Sequence, residues 1–306
     1  MGGDYLDGMT TTSGYSSTFL SSEIPFPELE DTTTAPGAAR TALRLDYVHF
    51  SVLFQRSRRL AAATAVNIDG AALVDLGRGD DWHFDVRLPE EDQTGPTVYA
   101  GNDLDRGHLV RRRDPVWGSG PLAAQANFDT FSFTNAAPQA GSFNQSKLLW
   151  LGLEDYVLDY AATSDSRISV FTGPVLAPDD PPYRGTGIPR LFWKIAAWIQ
   201  APGLRDTAGP VLAATGYVLD QAPALEDLDL EEKRRRAELA GDPPPLGPFR
   251  TFQVPIPDIA ALTGLRLGPL EAADRLDAAP IPAEVEPLGG IRLRWRELST
   301  RADLHW

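Results

Sequence analysis

The chain contains no cysteine among its 306 residues, so neither a disulfide framework nor a thiolate metal site can hold it together. Lysine is nearly absent as well: only Lys147, Lys194 and Lys233 occur, and arginine carries almost all of the positive charge. No apolar run approaches the roughly 18 residues that span a bilayer as a helix, which argues against a membrane role. The first 35 residues lack a basic start followed by an apolar block, and no arginine precedes Arg40. Secretory and mitochondrial targeting are therefore not expected, and a cytoplasmic, bacterial setting is.

What is present is a globular composition, 42% hydrophobic and 23% charged, sufficient for a sizeable core. The net charge of −14 disfavours long-range attraction to a polyanion. Positive charge is concentrated locally, however, in Arg106, Arg111, Arg112 and Arg113, while acidic residues elsewhere serve solubility. A histidine stands inside that basic cluster, in Asp105-Arg106-Gly107-His108. Further on come Thr134-Asn135-Ala136-Ala137-Pro138-Gln139, Phe143-Asn144-Gln145 and Leu153-Glu154. A proton acceptor, neutral oxygen ligands, a carboxylate and guanidinium groups make a kit suited to metal-assisted phosphodiester cleavage.

These motifs, in this order and with Asn135 nine residues before Asn144, resemble the DNA/RNA non-specific endonuclease family of the ββα-metal superfamily, the endonuclease G-like nucleases. The similarity runs in weaker form from about Tyr15 to Leu265. It implies an α+β fold: a ββα-metal finger with a central mixed or antiparallel β-sheet flanked by helices. Residues 1–37 are expected as an extended leader that packs on the domain or trails from it. Residues 38–306 are expected as a single nuclease domain, with the ββα-metal core at about 97–160.

The resemblance also implies roles. His108 corresponds to the general base, and an imidazole is largely neutral and basic near pH 7. Asn144 corresponds to the one direct protein ligand of the metal, Mg²⁺ with Mn²⁺ as an alternative. A carboxamide oxygen suits such a hard ion; as a plain residue, Asn144 would equally serve as a helix N-cap. Glu154 corresponds to a glutamate that holds metal-bound water. It lies ten residues after Asn144 where some members have eight, so on a regular helix the two side chains diverge by roughly 80°. Asn135 is expected near the substrate phosphate or the metal's waters, or else as a turn-fixing residue. Arg106, two positions from His108 on one side of a strand, is expected to stabilise the transition state. Arg78, Arg111, Arg112 and Arg113 are candidates for substrate phosphates, the last three equally for a solvated charge run.

Strands are expected at 47–54, 63–70, 97–110, 128–135, 168–175, 190–199 and 213–219, and a helix from Asn144 to about Tyr160. His49 reads as a structural histidine within the first strand, and Trp117 and Trp150 as core. Glu226 to Leu239 reads as a solvated charged helix or loop. The expected function is a Mg²⁺-dependent, sugar-non-specific endonuclease acting on DNA and RNA, as a homodimer or under a regulatory or inhibitor partner. Two alternatives stand beside it: a defence or toxin effector silent until activated, and a catalytically quiet nucleic-acid-binding or scaffolding relative.

Overall fold

A computed structural model describes residues 14–30, 42–77, 79–140, 166–202, 209–222, 225, 250–276 and 295–298. Ten strands matter for the site: β1 (Ala42–Tyr47), β2 (Phe50–Gln55), β3 (Leu60–Asp69), β4 (Leu104–His108), β5 (Ala136–Ala140), β6 (Arg167–Val175), β7 (Leu191–Gln200), β8 (Val211–Asp220), β9 (Arg250–Val254) and β10 (Arg296–Glu297). Two helices accompany them, α1 (Gly120–Asp129) and α2 (Ile256–Thr263). Eight of the strands form one sheet in the order β10-β9-β8-β7-β6-β3-β2-β1, while β4 and β5 form a separate two-stranded finger. Every pairing in the large sheet is antiparallel, which resolves the mixed-or-antiparallel expectation.

The central strands are apolar on both faces, as a sheet with cover on each side requires. Along β7, Phe192, Ala196 and Trp198 enter one core while Trp193, Ile195 and Ala197 enter the other. The period-2 alternation of a strand divides them. The first core also contains Leu109, Val110, Ala137 and Ala140 from the finger and its margins. The second contains Tyr15, Leu20 and Ile24 from the N-terminal segment together with Ile256 and Ile259 of α2. The finger and the N-terminal segment thus cover opposite faces of one sheet.

The N-terminal segment is bonded as well as buried. Gly14 donates its backbone N–H to the Tyr47 carbonyl at 3.1 Å, and Tyr15 N–H reaches the Ser51 hydroxyl at 2.8 Å. The Tyr15 hydroxyl donates to the Ile24 carbonyl at 3.0 Å, closing the segment on itself.

Three expectations are corrected. The run 47–54 is two strands, not one: β1 and β2 form a hairpin, and His49 sits in its turn with φ 67°. The finger strands are shorter and later than 97–110 and 128–135. Gly95-Pro96 opens a helical turn, Pro96–Tyr99, because proline is pre-set for a first helical position. The Asn102 side chain then accepts the Leu104 N–H at 2.9 Å and starts β4. Residues 128–135 complete α1 and form a 3₁₀ turn, Phe133–Asn135, so the second finger strand begins only at Ala136. The expected helix from Asn144, Trp150 and the charged stretch 226–239 all fall outside the described residues.

The His49 ring lies flat on Trp117, with centroids 3.4 Å apart and planes 6° from parallel, and its Nδ1–H donates to the Pro115 carbonyl at 2.8 Å. Trp117 in turn donates its indole N–H to the Asn67 carbonyl at 2.8 Å. Burial lowers the His49 pKa from its ordinary value, against smaller opposing effects of the Pro115 carbonyl and Asp69. The folded protein therefore holds that proton less tightly than the unfolded chain. Stability from this site is present above the unfolded value of about 6.5 and declines as pH falls from there through the lower folded value. The thermal midpoint should drop on acidification in that window, and less steeply in His49→Asn, a residue that tolerates positive φ. Equal slopes in the two proteins would remove His49 from the account.

Candidate active site

The finger places His108 and Arg106 on one face and Asp105 and Gly107 on the other, by strand alternation. Its register runs from Leu104 opposite Ala140 to His108 opposite Ala136. Gly107 leaves room for a neighbour: a Cβ there would lie 2.1 Å from the Gln139 side chain, so a larger residue would have to displace it. The motif glycine thus makes room for Gln139.

The far end of β5 is tied to the large sheet by Gln221, which follows β8. Its Oε1 accepts the Ala140 N–H at 3.0 Å, and its Nε2 donates to the Pro189 carbonyl at 2.6 Å and the Pro138 carbonyl at 3.3 Å. At the histidine end the tie is Asn135. Its backbone carbonyl accepts the Leu109 N–H at 2.9 Å. Its side-chain oxygen accepts the Val110 N–H at 2.9 Å, and its amide donates to the carbonyls of Val110 at 2.9 Å and Thr130 at 3.0 Å.

Asn135 is fully buried. Its carboxamide is committed to the backbone of Val110 and Thr130, just beyond the end of β4. It fixes where β4 ends.

In front of β4 stands an aromatic shelf that the sequence reading passed over. The Trp82 ring centroid is 4.7 Å from that of His108, with planes 50° apart. Arg106 holds its guanidinium carbon 5.3 Å from the same indole centroid. Phe131 meets His108 edge-on at 5.1 Å and Trp82 edge-on at 5.4 Å, and Phe133 backs Trp82 at 5.7 Å. The signal was there in Trp82-His83-Phe84, an aromatic run preceded and followed by aspartates. Behind it, the Tyr47 hydroxyl bonds Asp85 and lies 2.5 Å from that of Thr134, while Arg87 grips Asp85 through Nε and a 2.6 Å bond from a terminal nitrogen. Burial alone would raise the Asp85 pKa, but the hydrogen bonds from Arg87 and Tyr47 bring it below the ordinary carboxylate value.

Tyr99 adds a phenol whose oxygen is buried, and burial drives its pKa well up against a smaller opposing effect of Arg106. It therefore stays protonated across the working range.

The arginine cluster divides. Arg112 donates to the Leu76 carbonyl at 3.0 Å and to the Asn127 side chain at 3.2 Å, pinning the loop before Gly77 onto α1. That gives Arg112 a structural use within the described residues. Arg111 is half-buried and Arg113 exposed, so only Arg113 is fully presented at the surface. Arg78, Asn144 and Glu154 lie outside the described residues. Among the described residues no three His, Asp or Glu side chains come together as a metal-holding group.

The architecture matches a chain of the crystal structure of the EndoG/EndoGI complex, with a TM-score of 0.52 and 18% identity over 73% of this chain and 84% of that one. This is the α+β, ββα-metal nuclease fold. The DNA/RNA non-specific endonuclease family model matches residues 31–274, and the chain belongs to that family. It is 40% identical over 278 residues to the uncharacterized protein y4fB of Sinorhizobium fredii, covering 86% of this chain. That match takes in only 39% of the rhizobial protein, so the chain spans well under half of that relative's length. It is 22% identical to a protein named "Nuclease" from Nostoc sp., over 70% of this chain and 69% of that one. Members of the family use divalent metal ions.

Replacing Asn135 by Ala would strand two carbonyls and one N–H inside the fold. The expected cost is about 3 kcal/mol, at roughly 1 kcal/mol or more per buried orphan. Chemical denaturation should show it, and a loss under about 1 kcal/mol would mean that Asn135 is not the clamp.

Proposed function

We propose that this chain is the nuclease unit of a Mg²⁺-dependent, sugar-non-specific endonuclease that hydrolyses phosphodiester bonds of DNA and RNA. The observation that carries the reading is the placement of His108 and Arg106 on one face of β4, held against Trp82 by ring contacts. His108 takes a proton from the attacking water as general base. Arg106, on the same side, offsets negative charge that builds on the phosphoryl oxygens. Arg113 and Arg78 meet flanking phosphates, contacts that carry no base information and leave cleavage sequence-tolerant.

The donor set fits a divalent ion. Asn144 offers a neutral carboxamide oxygen as the direct ligand, and Glu154 a carboxylate that acts on the ion's water shell. When bound, such an ion supplies Lewis-acid neutralisation of the phosphate charge. Asn135 belongs to the support of the site rather than to its chemistry.

Two observations favour a second layer to this reading, in which the nuclease is restrained until needed. The chain corresponds to part of a longer rhizobial relative, and its charge of −14 opposes unaided capture of a polyanion. A regulatory or inhibitor partner, or assembly as a homodimer, would supply the missing control in a cytoplasmic setting and suits a defence or toxin effector.

Incubation with supercoiled plasmid and with RNA, with and without EDTA, tests the reading. Both substrates should be cut, and EDTA should stop the reaction. His108→Ala should lower the rate by about 10²-fold or more, the scale of a lost general base, while remaining folded. Wild-type cleavage by that variant would remove the base assignment. Asn144→Ala should shift the Mg²⁺ titration to higher concentration, and an unaltered titration would count against the ligand assignment.

A further inference from the structure

Trp82 stands where the two functional side chains of β4 converge, yet its own chemistry offers no acid, base or hard-ion ligand. Its indole touches His108 on one side, at 4.7 Å between centroids, and carries the Arg106 guanidinium at 5.3 Å. Trp82, His108 and Phe131 close a triangle of rings, because Phe131 lies edge-on to both, at 82° and 83°. An imidazole inside such a triangle cannot turn about its side-chain bonds without displacing a neighbour.

The indole is itself fixed. Its backbone N–H donates to the Asp80 carbonyl at 3.0 Å. The next residue, His83, donates to the Phe131 carbonyl at 3.1 Å and accepts from Phe133 N–H at 2.9 Å. A parallel bridge between His83 and Ser132 locks the two segments side by side. The segment that carries Trp82 is therefore bonded to the segment that carries Phe131 and Phe133, and the rings of Trp82 and Phe131 both meet His108. Phe133 supports the far side of the indole at 5.7 Å.

We propose that Trp82 is a positioning residue: its indole sets the plane of the His108 imidazole and the reach of the Arg106 guanidinium, so that base and cation address the same phosphate. The proposal rests on the nuclease reading above. Cation–π attraction draws the guanidinium to the indole face, and ring contact fixes the imidazole. One side chain thus couples a proton acceptor to a charge stabiliser two residues away. Loss of the indole frees both, and a near-attack arrangement is sensitive to displacements of about 1 Å.

Two arms test it. Trp82→Ala should lower kcat by about ten- to a hundredfold with KM little changed, whereas Trp82→Phe, which keeps a π face, should retain most of the rate. The second arm has a readout besides activity. Of the four histidines, the His108 ring proton signal is identified in NMR spectra by its loss in His108→Gln. In wild type that signal carries the ring current of Trp82. It and its titration midpoint should move in Trp82→Ala, and the pH profile of kcat should move with them.

A His108 signal and midpoint identical in wild type and Trp82→Ala would overturn the proposal, as would a kcat unchanged in that variant. Should Trp82→Ala not fold, Trp82→Leu keeps the apolar bulk without a π face and gives the same comparison. Absence of cleavage by the wild-type protein would sink the nuclease reading instead, and the NMR arm would still decide whether Trp82 governs the ring.

Discussion

Everything about the site depends on a short antiparallel pairing, β4 with β5, being clamped at both ends. Gln221 holds one end to the large sheet, and Asn135 closes the other immediately behind His108. Two strands alone are marginal in water. This pair persists because Leu109, Val110, Ala137 and Ala140 join the same core as β7 and β8. Both clamps are primary carboxamides, which present an acceptor oxygen and two N–H donors and so can satisfy backbone donors and acceptors together. The finger is thereby rigid where its chemistry is, and catalytic groups on rigid elements are held more closely than groups on loops.

Charge follows the same division of labour. The molecule is strongly acidic as a whole, and much of its arginine serves internal structure: Arg112 pins a loop, Arg87 anchors Asp85, and Arg58 reaches Asp180 at 2.6 Å. A guanidinium suits such roles through its forked, weakly hydrated geometry, and lysine could not replace it there. The scarcity of lysine and the abundance of arginine thus reflect structural use as well as substrate contact. Arg106 differs from these, since it lies over an aromatic face, the Trp82 indole.

How legible was this in the sequence? Motif residues with a fixed spacing were readable at once, because Asp-Arg-Gly-His and the Asn-x-x-Pro-Gln that follows constrain chemistry directly. The strands β6, β7 and β8 were readable within two residues of their ends, since their two-sided burial leaves continuous apolar runs. Three things were not. The hairpin turn at Val48-His49 is hidden in an unbroken β-branched and aromatic run, where only tertiary packing of His49 on Trp117 decides the break. The role of Asn135 could not be read because a carboxamide serves a metal's water or a backbone equally well. The aromatic shelf was missed because Trp82 lies about two dozen residues before His108, and no local pattern announces that a bridge will join it to Phe131 and Phe133.

The N-terminal segment has a consequence for handling the protein. In the large sheet β1 is an outermost strand, and the segment beginning at Gly14 closes over it through Tyr47 and Ser51, with Arg44 reaching the Tyr15 carbonyl at 3.2 Å. Trimming the chain to begin after Ile24 would uncover that strand's margin and an apolar patch over Phe171 together. Such a shortened protein should stick to itself, strand against strand, and any gain of multimers on truncation would report a stripped edge rather than native assembly.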